Sequence, residues 1–208
     1  MIKVERMILG SVQTNCFILY KEGSSEALVF DPADRGEYIY NKLKEKGLKV
    51  AAILLTHAHF DHISGCNELR RLSEAKVYAS REERPLCEDP QLNVSQMFGK
   101  PVTATVDEYL ADGVVLNLAG LEVKLIATPG HTVGSCCYYL EKEKTLITGD
   151  TLFAGSVGRT DFPTGSAATL ARSLKEKLMC LPDDTNVYPG HEGFTTIGDE
   201  KKYNPFCV

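Results

Sequence analysis

The chain opens with three short runs rich in aliphatic, β-branched and aromatic residues, KVERMIL, CFILY and ALVFD, separated by Gly, Ser and Asn. Runs of this length broken by turn-forming residues predict an antiparallel meander. The period then changes. In RGEYIYNKLKEKG, Tyr38, Ile39 and Leu43 make an apolar stripe among Lys and Glu, which predicts an exposed amphipathic helix with Gly47 as its C-terminal cap. VAAILL is a continuous apolar strand, and SGCNELRRLSEA carries a second helical pattern. Residues 81–113, charged and interrupted by Pro85, Pro90 and Pro101, read as a short helix plus loops. Beyond them VVLNLAGLEVKLIATPGH predicts a hairpin turned at Ala119 and Gly120. SCCYYLE and TLITGD follow as strands, then SAATLARSLKEKLMC as a helix with Ser166 as N-cap. No short-period repeat or low-complexity segment interrupts this order. Strands in runs with helices interspersed predict an α/β sandwich.

Composition narrows the class. A chain of 208 residues, 43% apolar and 25% charged, fits one globular domain with a substantial core, and a second full domain would be cramped. No apolar stretch approaches the roughly 20 residues that span a bilayer. The N-terminus MIKVERMILG places charges where a signal peptide needs an unbroken apolar run, so the expected location is cytoplasmic, with no membrane partner. A net charge of -5 argues against nucleic acid as a partner, because polyanion binding needs a basic face. The seven cysteines form no CxxC pair or zinc-finger spacing, and are expected as buried hydrophobes in a reducing compartment. Cys66, four residues beyond His62, stands close enough to support a ligand there.

The histidines carry the chemistry. The chain has five, and three of them stand with an aspartate in THAHFDH, directly after VAAILL. Ionisable side chains are costly to bury without partners, so a core has no use for such a cluster. The other two, His131 and His191, each close an apolar strand with Pro-Gly-His, and TLITGD ends at Asp150. If these four strand ends share one sheet edge, their side chains converge. His57 and His59 point to one side, while the following turn brings Asp61 and His62 to a second point nearby. Neutral imidazoles suit zinc and iron, and carboxylates add a hard ligand or a bridge. The count exceeds one tetrahedral site and points to two metal ions sharing a bridge.

The run Thr56, His57, His59, Asp61 and His62, followed in order by His131, Asp150 and His191, resembles the metallo-β-lactamase superfamily over the whole chain. The resemblance implies an αββα sandwich with the site at one edge of the sheet pair. It also implies His57, His59 and His131 on a first metal, Asp61, His62 and His191 on a second, and Asp150 bridging. Two zinc ions are the expected cofactors, with iron or manganese as substitutes. The segments GDTLFAGSVGRTDFPTGS and PGHEGFTTIGDEKKYNPF are similar to glyoxalase II-like hydrolases of the short bacterial type, which cleave thioesters such as S-D-lactoylglutathione. A small-molecule thioester is therefore the expected partner. Glyoxalase II proper carries a C-terminal helical domain that helps bind glutathione. This chain stops 17 residues after His191, and is expected as a hydrolase domain over 1–208 without that extension.

Three other readings compete. The GRTDF stretch at 158–162 is also similar to persulfide dioxygenases, which would place a single iron on His57, His131 and Asp150. A β-lactamase would need export and carries other residues where Asp150 stands. An inactive metal-binding scaffold would be expected to have lost ligands, and none is lost. Within the hydrolase reading, Asp61 doubles as ligand and as the catalytic group orienting the nucleophile's proton. Arg159, nine residues after Asp150, is the candidate substrate-binding cation. Asp31 either turns the chain through Asp-Pro or supports a ligand histidine. Gly155 and Gly158 read as turn residues.

Overall fold

Side chains alternate faces along each strand, and in the central strands of both sheets both faces are apolar. The computed structural model describes residues 1–207. Strands β1 (Ile2–Leu9), β2 (Thr14–Lys21) and β3 (Glu26–Phe30) form the expected antiparallel meander. Helix α1 (Gly36–Glu45) then crosses over, so that β4 (Lys49–Leu54) pairs parallel with β3. Gly47 follows α1 with φ of 71°, the left-handed conformation that glycine adopts without strain. A one-turn helix α2 (Phe60–Ile63) and α3 (Cys66–Ser73) lead to β5 (Lys76–Ser80), again parallel. The charged stretch that follows holds the short helix α4 (Arg84–Glu88), loops, and the edge strand β6 (Glu108–Leu110). This first sheet runs β1-β2-β3-β4-β5-β6.

The second sheet contains β7 (Val115–Leu118), β8 (Leu121–Ala127), β9 (Cys136–Leu140), β10 (Thr145–Gly149), β13 (Asn186–Pro189) and β14 (Thr195–Thr196), in the order β14-β13-β10-β9-β8-β7. Its first hairpin turns at Ala119 and Gly120, with φ of 49° and 71° as a two-residue turn requires. A small hairpin of β11 (Leu152–Phe153) and β12 (Ser156–Val157) follows β10. Helix α5 (Ala167–Ser173) starts at Ser166, whose hydroxyl accepts from the Thr169 amide, and ends in a wider turn over Leu174–Leu178. Helix α6 (Ile197–Tyr203) closes the described chain.

Three apolar clusters show how the layers stack. Cys16, Ile18, Val29, Ile53 and Val77 face outward from the first sheet and pack against Ile39, Leu43 and Leu69 of α1 and α3. Their neighbours Phe17, Leu19, Phe30, Leu54 and Tyr78 face inward and meet Leu121, Val123, Leu125, Tyr138 and Ile147 of the second sheet. On its far side, Ile126, Cys137, Tyr139, Leu146 and Val187 receive Leu170, Leu174 and Leu178. The period of two splits each strand between these clusters, which gives the expected αββα sandwich. Burial of so many fully covered side chains is the main source of stability, at roughly 25 cal/mol per Å² of apolar area. Cys66 belongs to the first cluster, fully buried among aliphatic side chains. It does not support a ligand, because its position on α3 turns it to the core rather than to the sheet edge.

No helix among the described residues is long and apolar enough to cross a membrane.

Candidate metal centre

Strands β3, β4, β8, β10 and β13 all finish at one edge of the sandwich, and the residues just past them converge there. In α/β sheets, the carboxyl ends of strands are where loops are free to present chemistry on a rigid scaffold. His57, His59 and His131 bring one donor atom each to within 4.8 Å of one another, and so do Asp61, His62 and His191. The Nδ1 of His59 lies 2.9 Å from the Nε2 of His131. Asp150 stands between the groups, with Oδ1 3.4 Å from His62 Nε2 and Oδ2 3.6 and 3.5 Å from the Nε2 atoms of His131 and His191. All seven residues expected as ligands from the sequence therefore meet.

Outer partners fix which nitrogen faces inward for three of the five rings. His131 Nδ1 donates to the Arg159 carbonyl at 2.7 Å, which leaves Nε2 toward the centre. His62 Nδ1 donates to Asp31 Oδ2 at 2.9 Å. Thr56 Oγ1 donates to Asp31 at 2.6 Å and so accepts from His57 Nδ1 at 3.1 Å. Asp31, His57 and His62 also form a triad compact enough for a cation. The Asp31 oxygens, however, are occupied by the Thr56 amide, the Thr56 hydroxyl and His62, so Asp31 is a support. It also turns the chain, with φ of 47°, so both roles read from the sequence are present.

The donor set fits divalent metal. The Nε2 atoms of His57 and His62 and Oδ1 of Asp150 are buried with no hydrogen-bond partner among the described residues. Buried polar atoms without partners cost on the order of 1–3 kcal/mol each, and a cation among them removes that cost. Electrostatics divides the two groups. Burial drives His57 well below the usual imidazole value, His59 down to about 3, and His131 below its usual value. Burial also lowers His62 and His191, but the aspartates outweigh it: Asp61 and Asp150 hold His62 well above its ordinary value and His191 up to about 9. Conversely, burial raises Asp61, yet His62, His191 and Thr14 bring it down to about 2.

Several supporting residues have no counterpart in the sequence reading. Thr14 Oγ1 donates to Asp61 Oδ2 at 2.7 Å. The Asn15 side chain donates to the Pro189 and Glu192 carbonyls, fastening the turn that carries His191. Glu83, 1% exposed, accepts from the Ala58 amide, the Thr132 hydroxyl and the Gly134 amide, tying the His57–His59 stretch to the His131 loop. Burial pushes its carboxyl up to about 7, against those three donors. Gly155, with φ of 68° and open space around it, is a turn residue as expected. Gly158 is not. Its φ is unremarkable, but a Cβ there would sit 1.8 Å from the Asp150 carbonyl, so glycine is required for close approach. Gly190 is also needed for close approach, and there a Cβ would meet Oδ1 of the candidate ligand Asp150 at 2.2 Å.

A cavity of about 440 Å³ opens over this cluster, lined by His59, Asp61, His131, Asp150 and His191 and walled by Phe60, Phe98, Phe153 and Phe162. Arg159 lines it as well. Its guanidinium donates twice to Asp161 at 2.7 Å and lies 3.7 Å from the Phe162 ring centre.

A two-sheet sandwich with imidazole and carboxylate donors gathered at one edge places the chain in the metallo-beta-lactamase superfamily, whose family model matches residues 9–191. Among its relatives, a probable metallo-hydrolase, YqgX of Bacillus subtilis (strain 168), is 41% identical over 98% of this chain and 97% of its own. A Haemophilus influenzae protein named hydroxyacylglutathione hydrolase GloC is 33% identical over 98% and 97%. Among solved structures, BLEG-1 B3 metallo-beta-lactamase superposes with a TM-score of 0.93 at 40% identity, covering 100% of both chains. TTHA1623 in a di-iron-bound form gives 0.87 at 32%, covering 98% and 100%.

Proposed function

We propose that this protein is a binuclear metal-dependent hydrolase of small acyl thioesters of the S-D-lactoylglutathione kind. The observation that carries this reading is the pair of donor groups, His57/His59/His131 and Asp61/His62/His191, with the Asp150 carboxylate between them. The relative named hydroxyacylglutathione hydrolase supports the thioester substrate. Zinc suits this donor set, and iron or manganese would also be accepted. Two such ions, when bound, supply hydroxide from water near neutral pH and polarise a carbonyl. The chain's own residues do the rest. His131 and His62 are locked in the tautomer that presents Nε2. Asp61, held by Thr14, orients the proton of the attacking water. The aromatic walls offer apolar surface beside the thioester.

A mononuclear iron reading on His57, His131 and Asp150 leaves His59, Asp61, His62 and His191 without a role as ligands. A second hydrolytic reading, opening of a β-lactam amide, is favoured by the likeness to BLEG-1.

The test is steady-state hydrolysis by the zinc-loaded protein of S-D-lactoylglutathione, an uncharged acyl thioester and a chromogenic cephalosporin. Thioester cleavage well above cephalosporin cleavage is expected, and the reverse order would replace this reading by the lactam one. Arg159 is proposed to meet a glutathione carboxylate, which has to share the guanidinium with Asp161. Arg159→Ala is then expected to raise KM for the glutathione thioester about three- to tenfold with kcat within about twofold, because contacts remote from the reacting carbonyl bind ground and transition states alike. Equal losses on both thioesters would reject that contact.

A further inference from the structure

We propose that the cavity over the metal centre selects thioesters whose acyl group is an apolar chain, in preference to a short hydroxyacyl group such as lactoyl. The inference rests on the thioesterase reading, keeps its small acyl thioester, and replaces lactoyl by an apolar chain as the preferred acyl group.

The walls carry the argument. Phe60 and Phe98 stack with ring centres 4.4 Å apart and planes 27° from parallel. Phe98 remains 59% exposed, so the stacked pair presents an open aromatic face to the cavity instead of filling the core. Two further rings stand directly against candidate ligands. Phe162 meets His59 edge-on at 5.6 Å, and Phe153 meets His191 at 6.1 Å. Val12 and Val157 continue the apolar lining. A group attached to a carbonyl at the centre therefore has aromatic or aliphatic surface around it in several directions.

The polar inventory is short. Apart from the candidate ligands, the polar and charged residues lining the cavity are Ser156, Arg159 and Glu192. Arg159 is already paired with Asp161 through two hydrogen bonds and covered on one face by Phe162. Ser156 offers one hydroxyl. A site built for a hydroxyacyl group needs polar partners for the extra oxygen, whereas an apolar chain gains from each methylene it removes from water. The cavity, about 440 Å³, has room for a chain of several carbons beside the thiol half.

The experiment varies only the acyl group. N-acetylcysteamine thioesters carrying acetyl, propanoyl, butanoyl, hexanoyl and D-lactoyl groups are offered to the zinc-loaded protein. The expected result is a kcat/KM that rises about fourfold per added methylene up to butanoyl, with butanoyl at least about tenfold above D-lactoyl. Phe98→Ala, a change at an exposed position, should flatten the dependence on chain length. D-lactoyl at or above butanoyl, or no dependence on length, would overturn the proposal and give the recognition role to Ser156. Calorimetric binding of free hexanoate against D-lactate to the same protein reads the preference without turnover. Tighter hexanoate binding with no thioester cleaved would remove the thioesterase reading yet uphold the apolar preference. Equal binding of the two acids would overturn the preference whether or not thioesters are cleaved.

Discussion

Asp150→Ala is expected to strip both metal ions and to lower thioester kcat/KM by more than about 10³-fold, exceeding the cost of deleting a single oxyanion donor. The carboxylate lies within 3.6 Å of imidazole nitrogens from both donor groups, so its loss opens both at once. It also removes the anion that offsets repulsion between two adjacent dications, a repulsion poorly screened at a site this buried. His191→Ala is the contrast. His191 belongs to the second group only, and the first keeps His57, His59 and His131 intact. That variant should retain about one ion per chain by elemental analysis while activity falls. Two retained ions and near-native turnover in both variants would show the bridge to be misassigned.

A second large effect is expected from pH, because protons compete with metal for the same lone pairs. In the first group His57, His59 and His131 are all pushed down by burial, His59 to about 3, so their nitrogens are already free at neutral pH. In the second group His62 is held well above its ordinary value and His191 at about 9, the aspartates outweighing burial in each. A metal entering there has to displace protons from both rings. Affinity at the second group should therefore fall as pH drops below about 9, by roughly tenfold per unit for each proton displaced, while the first group changes little across the same range. Zinc titrations of the metal-free protein at pH 6 and pH 9 should show one tight equivalent at the lower pH and two at the higher. Parallel weakening of both equivalents would contradict the division.

Much of this centre was readable from the chain because its ligands announce themselves. Histidines and aspartates placed directly after apolar runs violate the burial pattern, and VAAILL, LIATPGH, TLITGD and NVYPGH each do so. The supporting residues give no such signal. Thr14 and Asp61 are 47 positions apart, and Asn15 and Pro189 are 174 apart, so only the closed sandwich brings them together. Glu83 reads in sequence as one more charge in REERP, although it is 1% exposed and fastens two ligand loops. The main layers were legible because their strands of five to eight residues, such as β2 and β3, show pattern enough to recognise. Strands β11 and β12, two residues each, and β6, with three, are too short for any alternation to register. Gly158 was misread for a related reason: a tight approach to the Asp150 carbonyl is a tertiary fact, while a turn is a local one.

The central claim is that seven residues on four loops form one binuclear centre. Its most direct measurement is metal content of the purified protein, reloaded with zinc at pH 9, freed of excess and assayed on a thioester. The account predicts about two ions per chain, with hydrolysis rising as the second equivalent binds. Full activity with a single ion per chain, and no second binding event, would contradict it.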